Sequence, residues 1–217
     1  LTHREIYLRE TKTQLAKNMA TEDVNEPLPT AAAELPATEA EKQPHKLERK
    51  WSFWFDNQSK KGAAWGASLR KAYTFDTVEE FWGLQETIFQ TSKLTMNAEI
   101  HLFKAGVEPK WEDPECANGG KWTWVVTNNR KEALNNGWLE TLMALIGEQF
   151  DEADEICGVV ASVRPGAKQD KLSLWTRTKS NEAVLMGIGK KWKEILDVTD
   201  KISFTNHDDS RRSRFSV

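Results

Sequence analysis

A chain of 217 residues has room for one well-buried domain and a tail. Its formal charge of −3 and pI near 5.9 exclude a general polyanion binder, because nonspecific nucleic-acid affinity rests on a broad basic field. Two cysteines, Cys116 and Cys157, are too few for a secreted disulfide scaffold, and no stretch of 18 apolar residues marks a membrane span.

No apolar h-region lies near the N-terminus, so the chain reads as cytoplasmic, or cytoplasmic and nuclear, with no membrane contact. Ten tryptophans stand out in the composition. Most belong in a core, and a ligand made of flat rings would account for the surplus. Residues 1–18 are polar and Met19 reads as a natural start of translation, so the first 18 residues are expected to be an extension or upstream remnant. Residues 19–46 are rich in Ala, Pro, Glu and Thr, with Pro27, Pro29, Pro36 and Pro44 and few large apolar side chains. Such a stretch cannot bury enough to offset its chain entropy and is expected to be a disordered tail.

Order is expected over residues 47–217. Residues 50–55 (KWSFWF) and 69–75 read as strands. Asp76 with Glu79 has the spacing of a capping box, and the helix after it places Val78, Phe81, Trp82 and Gln85 at helical intervals. Residues 98–103 form a third strand. The segment 110–114 (KWEDP) is loop, because Gly106, Pro109, Pro114, Asn118, Gly119 and Gly120 punctuate both sides. Residues 120–127 are a strand with Trp122, Trp124 and Val126 on one side. A helix over 131–146 buries Leu134, Trp138, Leu142 and Leu145. Residues 156–163 and 171–178 are further strands around a cationic loop at 164–171. Ser180 can cap a last helix with Val184, Ile188, Trp192 and Ile195 on one face, and residues 201–204 and 214–217 can close the sheet as edge strands. Alternating strands with helices between them predict an α+β fold, an antiparallel sheet with three helices packed on one face.

No GxxxxGK[ST], GxGxxG after a strand, HExxH or GxSxG motif occurs. The histidines His3, His45, His101 and His207 are scattered, and the cysteines are not at metal-ligand spacing, so no metal or cofactor is expected. Cys116 and Cys157 can meet and form a disulfide, or remain two free thiols. What remains is a binding constellation. Trp65 and Trp111 offer two indole faces from loops, Glu112 offers a carboxylate, and Arg164 and Lys168, with Lys121 and Lys171, offer cations. An aromatic sandwich, a carboxylate and a cationic funnel suit a nucleotide whose base is positively charged. The bland alternatives are surface tryptophans and a solvated charged loop.

The stretches 50–55, 75–82 (FDTVEEFW), 102–113 (LFKAGVEPKWED), 119–122, 138–142 (WLETL), 146–148 and 172–175 (LSLW) resemble the eukaryotic translation initiation factor 4E family of mRNA cap-binding proteins, in its plant iso form. The likeness covers about residues 45–217. It implies a curved, eight-stranded antiparallel sheet backed by three helices, and no enzymatic activity. It implies that Trp65 and Trp111 sandwich 7-methylguanine and that Glu112 accepts from the base. Arg164 and Lys168, with Lys121, then meet phosphates, and Trp175 lies near the N7-methyl group. His45, Val78, Trp82, Leu139, Glu140 and Leu142 match the family's dorsal surface, which receives a short helix from the scaffold initiation factor 4G, here its iso form. A potyviral genome-linked protein is a further partner implied by the family alone. The rival readings are a cap-hydrolysing enzyme and a pure protein-interaction module.

Overall fold

The computed structural model describes residues 43–57, 68–87, 90–126, 131–164, 169–209 and 212–217. Lys46–Val217 forms one compact unit, and of the other, Leu1–His45, only residues 43–45 are described, as exposed coil.

Eight strands alternate large apolar side chains with small or polar ones, and they form a single sheet. They are β1 (Lys46–Asn57), β2 (Arg70–Thr77), β3 (Ala98–Lys104), β4 (Gly120–Val125), β5 (Ile156–Ser162), β6 (Lys171–Thr176), β7 (Ile202–Asn206) and β8 (Phe215–Ser216). The order is β2-β1-β3-β5-β6-β4-β7-β8, and every pairing is antiparallel. Three helices, α1 (Val78–Thr87), α2 (Lys131–Ile146) and α3 (Glu182–Leu196), occur among the described residues. The sheet is curved and the helices back its convex face, as the sequence implied.

Because side chains alternate across a strand, each strand feeds two environments. Trp51, Phe53, Ile100, Leu102, Trp122, Trp124, Leu172, Leu174, Ile202 and Phe204 join the helices in one large core. On the concave face Trp54, Phe103, Val160 and Trp175 gather with Leu69, Val107, Cys116 and Cys157 in a smaller cluster. Buried indoles favour a partner for their N–H, and three find one in the helix layer and the connection after α3, while the Trp51 and Trp54 N–H groups have none among the described residues. Trp122 donates to the Leu185 carbonyl at 3.1 Å, Trp192 to the Thr141 hydroxyl at 2.9 Å, and Trp124 to Asp200 at 3.1 Å. At Gly189, α3 lies directly on the Trp122 ring, and a Cβ there would stand 2.5 Å from it.

Several element ends differ from the sequence reading, each for a local reason. Asp76 does not cap α1. Its carboxylate is held by Lys46 at 2.8 Å and Lys50 at 3.1 Å. The cap is Thr77, whose Oγ1 accepts from the Glu80 N–H at 3.2 Å, while Glu80 accepts from the Thr77 hydroxyl at 3.0 Å and from the Asp76 N–H at 3.1 Å. Asn181, not Ser180, caps α3 by accepting from the Val184 N–H at 3.2 Å. The buried side of α3 runs through Leu185, Ile188, Gly189, Trp192 and Leu196, with Val184 and Ile195 at its margin. β1 begins at Lys46, four residues before the predicted strand.

Candidate binding site on the concave face

The concave face carries a cavity of about 450 Å³. Strand register arranges its floor as a grid of three rows. One row runs His101, Val160, Ser173, Thr123, Ser203 across β3, β5, β6, β4 and β7. A second places Trp175, Lys121 and Thr205 side by side on β6, β4 and β7. The third brings Glu99 beside Ser162, Lys171 and Val125, with Lys201 just ahead of β7 at its end. The central row is short on the β6–β7 side, where Thr123 and Ser173 share a hydrogen bond at 3.3 Å. Small hydroxyls flanked by long cations and an indole make a trough with a polar bottom.

The connection from β3 to β4 enters at the Trp175 row. Pro109 is buried and lines the cavity, and Trp111, two residues on, is 51% exposed. Asp113 holds this loop in shape. Its two oxygens accept from the Glu108 and Glu115 N–H groups at 2.9 Å each, and its carbonyl accepts from Cys116 and Ala117 at 2.8 Å each. The acidic pair therefore divides its work: Asp113 is spent on the backbone and Glu112 is exposed. Cys116 and Cys157 are free, buried thiols. Hydrogen bonding to Cys157, then burial, push the Cys116 thiol up, and Cys157 donates to the Glu115 carbonyl at 3.2 Å.

Trp175 is buried, edge-on to Phe103 at 5.5 Å and against the His207 ring at 4.2 Å, and the Lys121 ammonium lies over it at 5.8 Å. Burial lowers the Lys121 pKa; Glu99 opposes this, and Lys171 and Arg164 add to it. Burial likewise pushes His207 down to about 4, aided by Lys121. At the other end Glu99 is buried and accepts from the Arg164 guanidinium at 2.7 Å and the Ser162 hydroxyl at 2.7 Å. The Arg164 N–H donates to Asp170 at 2.8 Å, which ties the two ends of the cationic loop together. His101, on the same strand face as Glu99, is buried and pushed down to about 4 by desolvation, against the pull of Glu99 and Asp56.

The fold thus brings Lys121, Trp175 and Arg164 to one cavity, and of the β3–β4 loop it is Pro109 that lines it, with Trp111 and Glu112 exposed just beyond. Trp65 and Lys168 lie outside the described residues. Of the described residues that flank the segment 58–67, Asp56 is opposite Glu99 and accepts from the Ser68 hydroxyl. Lys201, Ser203 and Thr205 also line the cavity. The sequence reading missed them, because a lysine and two small hydroxyls in an alternating edge-like strand carry no motif.

Of the dorsal residues, Val78, Trp82, Leu139, Glu140 and Leu142 lie on α1 and α2, and His45 is coil just ahead of β1. Val78, Trp82 and Leu139 are half-buried, Glu140 is exposed, and His45 is exposed. Trp82 stands edge-on to Phe81 at 5.1 Å. Leu142 follows the helical stripe and not the dorsal assignment drawn from the resemblance: it is fully inside the core, one turn from buried Trp138, and supports α2 from beneath.

A curved antiparallel sheet with helices on one face and a cationic, aromatic-edged cavity on the other defines a class of α+β binding module. The chain belongs to the eukaryotic initiation factor 4E family, whose model matches residues 46–216. It is 94% identical over 199 residues to the eukaryotic translation initiation factor isoform 4E of Arabidopsis thaliana, covering 92% of this chain and 100% of that one. Among solved structures it is similar to C. elegans eIF4E-3 in complex with the 4E-binding protein Mextli and a cap analog, at 38% identity and a TM-score of 0.74, covering 80% of this chain and 99% of that chain. It is also similar to schistosome eIF4E complexed with m7GpppG and 4E-BP, at 32% identity and a TM-score of 0.75, covering 81% and 100% of the two chains.

Proposed function

We propose that this protein binds the 7-methylguanosine 5′ cap of messenger RNA and recruits the capped message to the scaffold initiation factor 4G, in its iso form, to start translation. The observation that carries the reading is the cavity itself, where Lys121 over Trp175 and Arg164 beside Glu99 converge, with Pro109 in its lining and exposed Trp111 two residues further along the same loop. The similar solved structures, which hold cap analogs and 4E-binding proteins, support it.

In this reading Trp65 and Trp111 stack on the two faces of the base. Methylation makes 7-methylguanine a cation, so the sandwich gains a charge term that plain guanine lacks, about 0.5–2 kcal/mol. Glu112 accepts from N1–H and the exocyclic amine, and Trp175 packs near the methyl group. Arg164, Lys168 and Lys121 meet the phosphates, with Glu99 aiming the Arg164 guanidinium. The protein acts by binding, not catalysis, in cytoplasm and nucleus. The dorsal surface of Val78, Trp82, Leu139 and Glu140, together with His45, takes the amphipathic helix of the scaffold. A potyviral genome-linked protein is a second partner of the same protein. A disulfide between Cys116 and Cys157, which share one buried cluster as free thiols, would lock the Trp111 loop to β5.

Retention on 7-methyl-GTP resin, with elution by free 7-methyl-GTP and not by GTP, is the expected result. Equal elution by GTP would sink the cap reading.

A further inference from the structure

We infer that the β7 wall of the cavity is a separate subsite for the ribose-phosphate chain of the RNA that follows the cap. The inference rests on the cap-binding reading above and extends it to the first transcribed nucleotides.

The groups assigned to the cap belong to the β1–β2 connection, the β3–β4 loop, the β5–β6 loop and the β4–β6 part of the floor, yet the cavity continues past β4. Its far wall is built from Lys201, Ser203 and Thr205. Register fixes their relation to the cap side: Thr205 shares a row with Lys121 and Trp175, and Ser203 shares one with Thr123 and Ser173. Lys171 and Lys201 close the third row from β6 and β7, with β4 between them. Two strand spacings separate them, so their backbones stand about 10 Å apart. Flexible four-carbon stems bring both ammonium groups within reach of successive phosphates of one chain.

Charge favours the same occupant. Among the described residues Glu99 is the carboxylate that lines the cavity, and Arg164 and Ser162 already engage it. Lys121, Lys171 and Lys201 form no ion pair with any described residue. Three cations without counter-charge, in a chain of net charge −3, are a local field that calls for an anion. The cap's own phosphates answer the Arg164 and Lys121 side and leave Lys201. The Ser203 and Thr205 hydroxyls, half-buried beside it, can donate to phosphate oxygens and exchange hydrogen bonds with a ribose 2′-OH. A polar, hydroxyl-lined wall without an aromatic platform suits backbone contact and not base reading.

The test is titration by tryptophan fluorescence of 7-methyl-GTP and of a capped tetranucleotide RNA, each at several salt concentrations. The parent is compared with Lys201→Ala, Ser203→Ala and Lys201→Arg. Lys201 is exposed, so these variants keep the fold. The expected result is unchanged 7-methyl-GTP binding throughout. For the capped tetranucleotide, Lys201→Ala weakens binding several-fold and lowers the slope of log K against log salt by about 0.7, one phosphate contact on a single strand. Ser203→Ala gives a smaller loss, and Lys201→Arg restores affinity. Equal weakening of both ligands would overturn the subsite, because Lys201 would then belong to the cap's own phosphates. No change with either ligand would overturn it as well. A parent protein that ignores 7-methyl-GTP but binds the tetranucleotide would sink the cap reading instead.

Discussion

At the scale of single residues, the tryptophans separate into two populations with opposite expectations. Trp51, Trp122, Trp138 and Trp192 are among the largest fully buried side chains, whereas Trp111 is half exposed on a loop braced by Asp113. Trp122→Ala is expected to destabilise the fold by about 3–5 kcal/mol in urea unfolding, because it removes an indole and a hydrogen bond from the core. Trp111→Ala should change stability by about 0.5 kcal/mol or less and weaken 7-methyl-GTP binding by roughly 1–3 kcal/mol, the range for base stacking. Unchanged cap binding in folded Trp111→Ala would put the base elsewhere. His101 gives a pH-dependent expectation. Its folded pKa of about 4 lies below the unfolded value near 6.5. Between those values the unfolded chain binds a proton that the native state refuses. The stability contribution is therefore complete above pH 6.5 and is lost as pH falls toward 4, by about 3 kcal/mol at the limit. Unfolding free energies at pH 7 and pH 5 should differ less in His101→Gln than in the parent. An identical pH slope in the two proteins would show that other groups carry it.

At the scale of elements, the strands and helices were legible wherever a buried face alternated cleanly with an exposed one. Trp122 and Trp124 on β4, Leu172 and Leu174 on β6, and Leu134, Trp138 and Leu142 on α2 all point where the sequence pattern put them. The ends were less legible, since Asp76 and Thr77 are both good caps and Ser180 and Asn181 are both good caps. Only tertiary contact decides between the first pair: Lys46 and Lys50 occupy Asp76 and leave the cap to Thr77. The site was legible in part for the same reason. Trp111, Glu112 and Arg164 stand out as chemistry in loops, but Glu99, Ser162 and the β7 wall become neighbours only through register. Gly189 illustrates a packing role that helix propensity would misjudge. Alanine is better than glycine in a helix interior by about 0.8–1.0 kcal/mol. Here its Cβ would sit 2.5–2.8 Å from atoms of the Trp122 ring. Overpacking of a filled core costs about 1–3 kcal/mol, so Gly189→Ala is expected to be net destabilising by chemical denaturation. A stabilised variant would mean that α3 can lift off the sheet freely.

At the scale of the molecule, one sheet separates two kinds of surface. Its concave side gathers cations and hydroxyls, and its convex side is sealed by helices whose outer rim is half-buried Val78, Trp82 and Leu139. Between them lies a continuous core that includes Ile100, Leu102, Leu172 and Leu174, none of them more than 1% exposed. In the proposed reading, a ligand on one face and a helix on the other share no contact residue among the described ones. Trp82 tests that separation. It is partly exposed and edge-on to buried Phe81, so truncation removes a surface ring without opening the centre of the core. A central aromatic anchor of an interface costs at least about 2 kcal/mol when truncated. Trp82→Ala is accordingly expected to weaken binding of a scaffold peptide by that amount or more while retention on 7-methyl-GTP resin is unchanged. Phe81→Ala is the control for core damage, since Phe81 is 0% exposed and should lower thermal stability and both binding activities together. If Trp82→Ala behaves like Phe81→Ala, the ring is part of the core and not of an interface. If peptide binding survives the substitution, the partner helix docks on another part of the convex face.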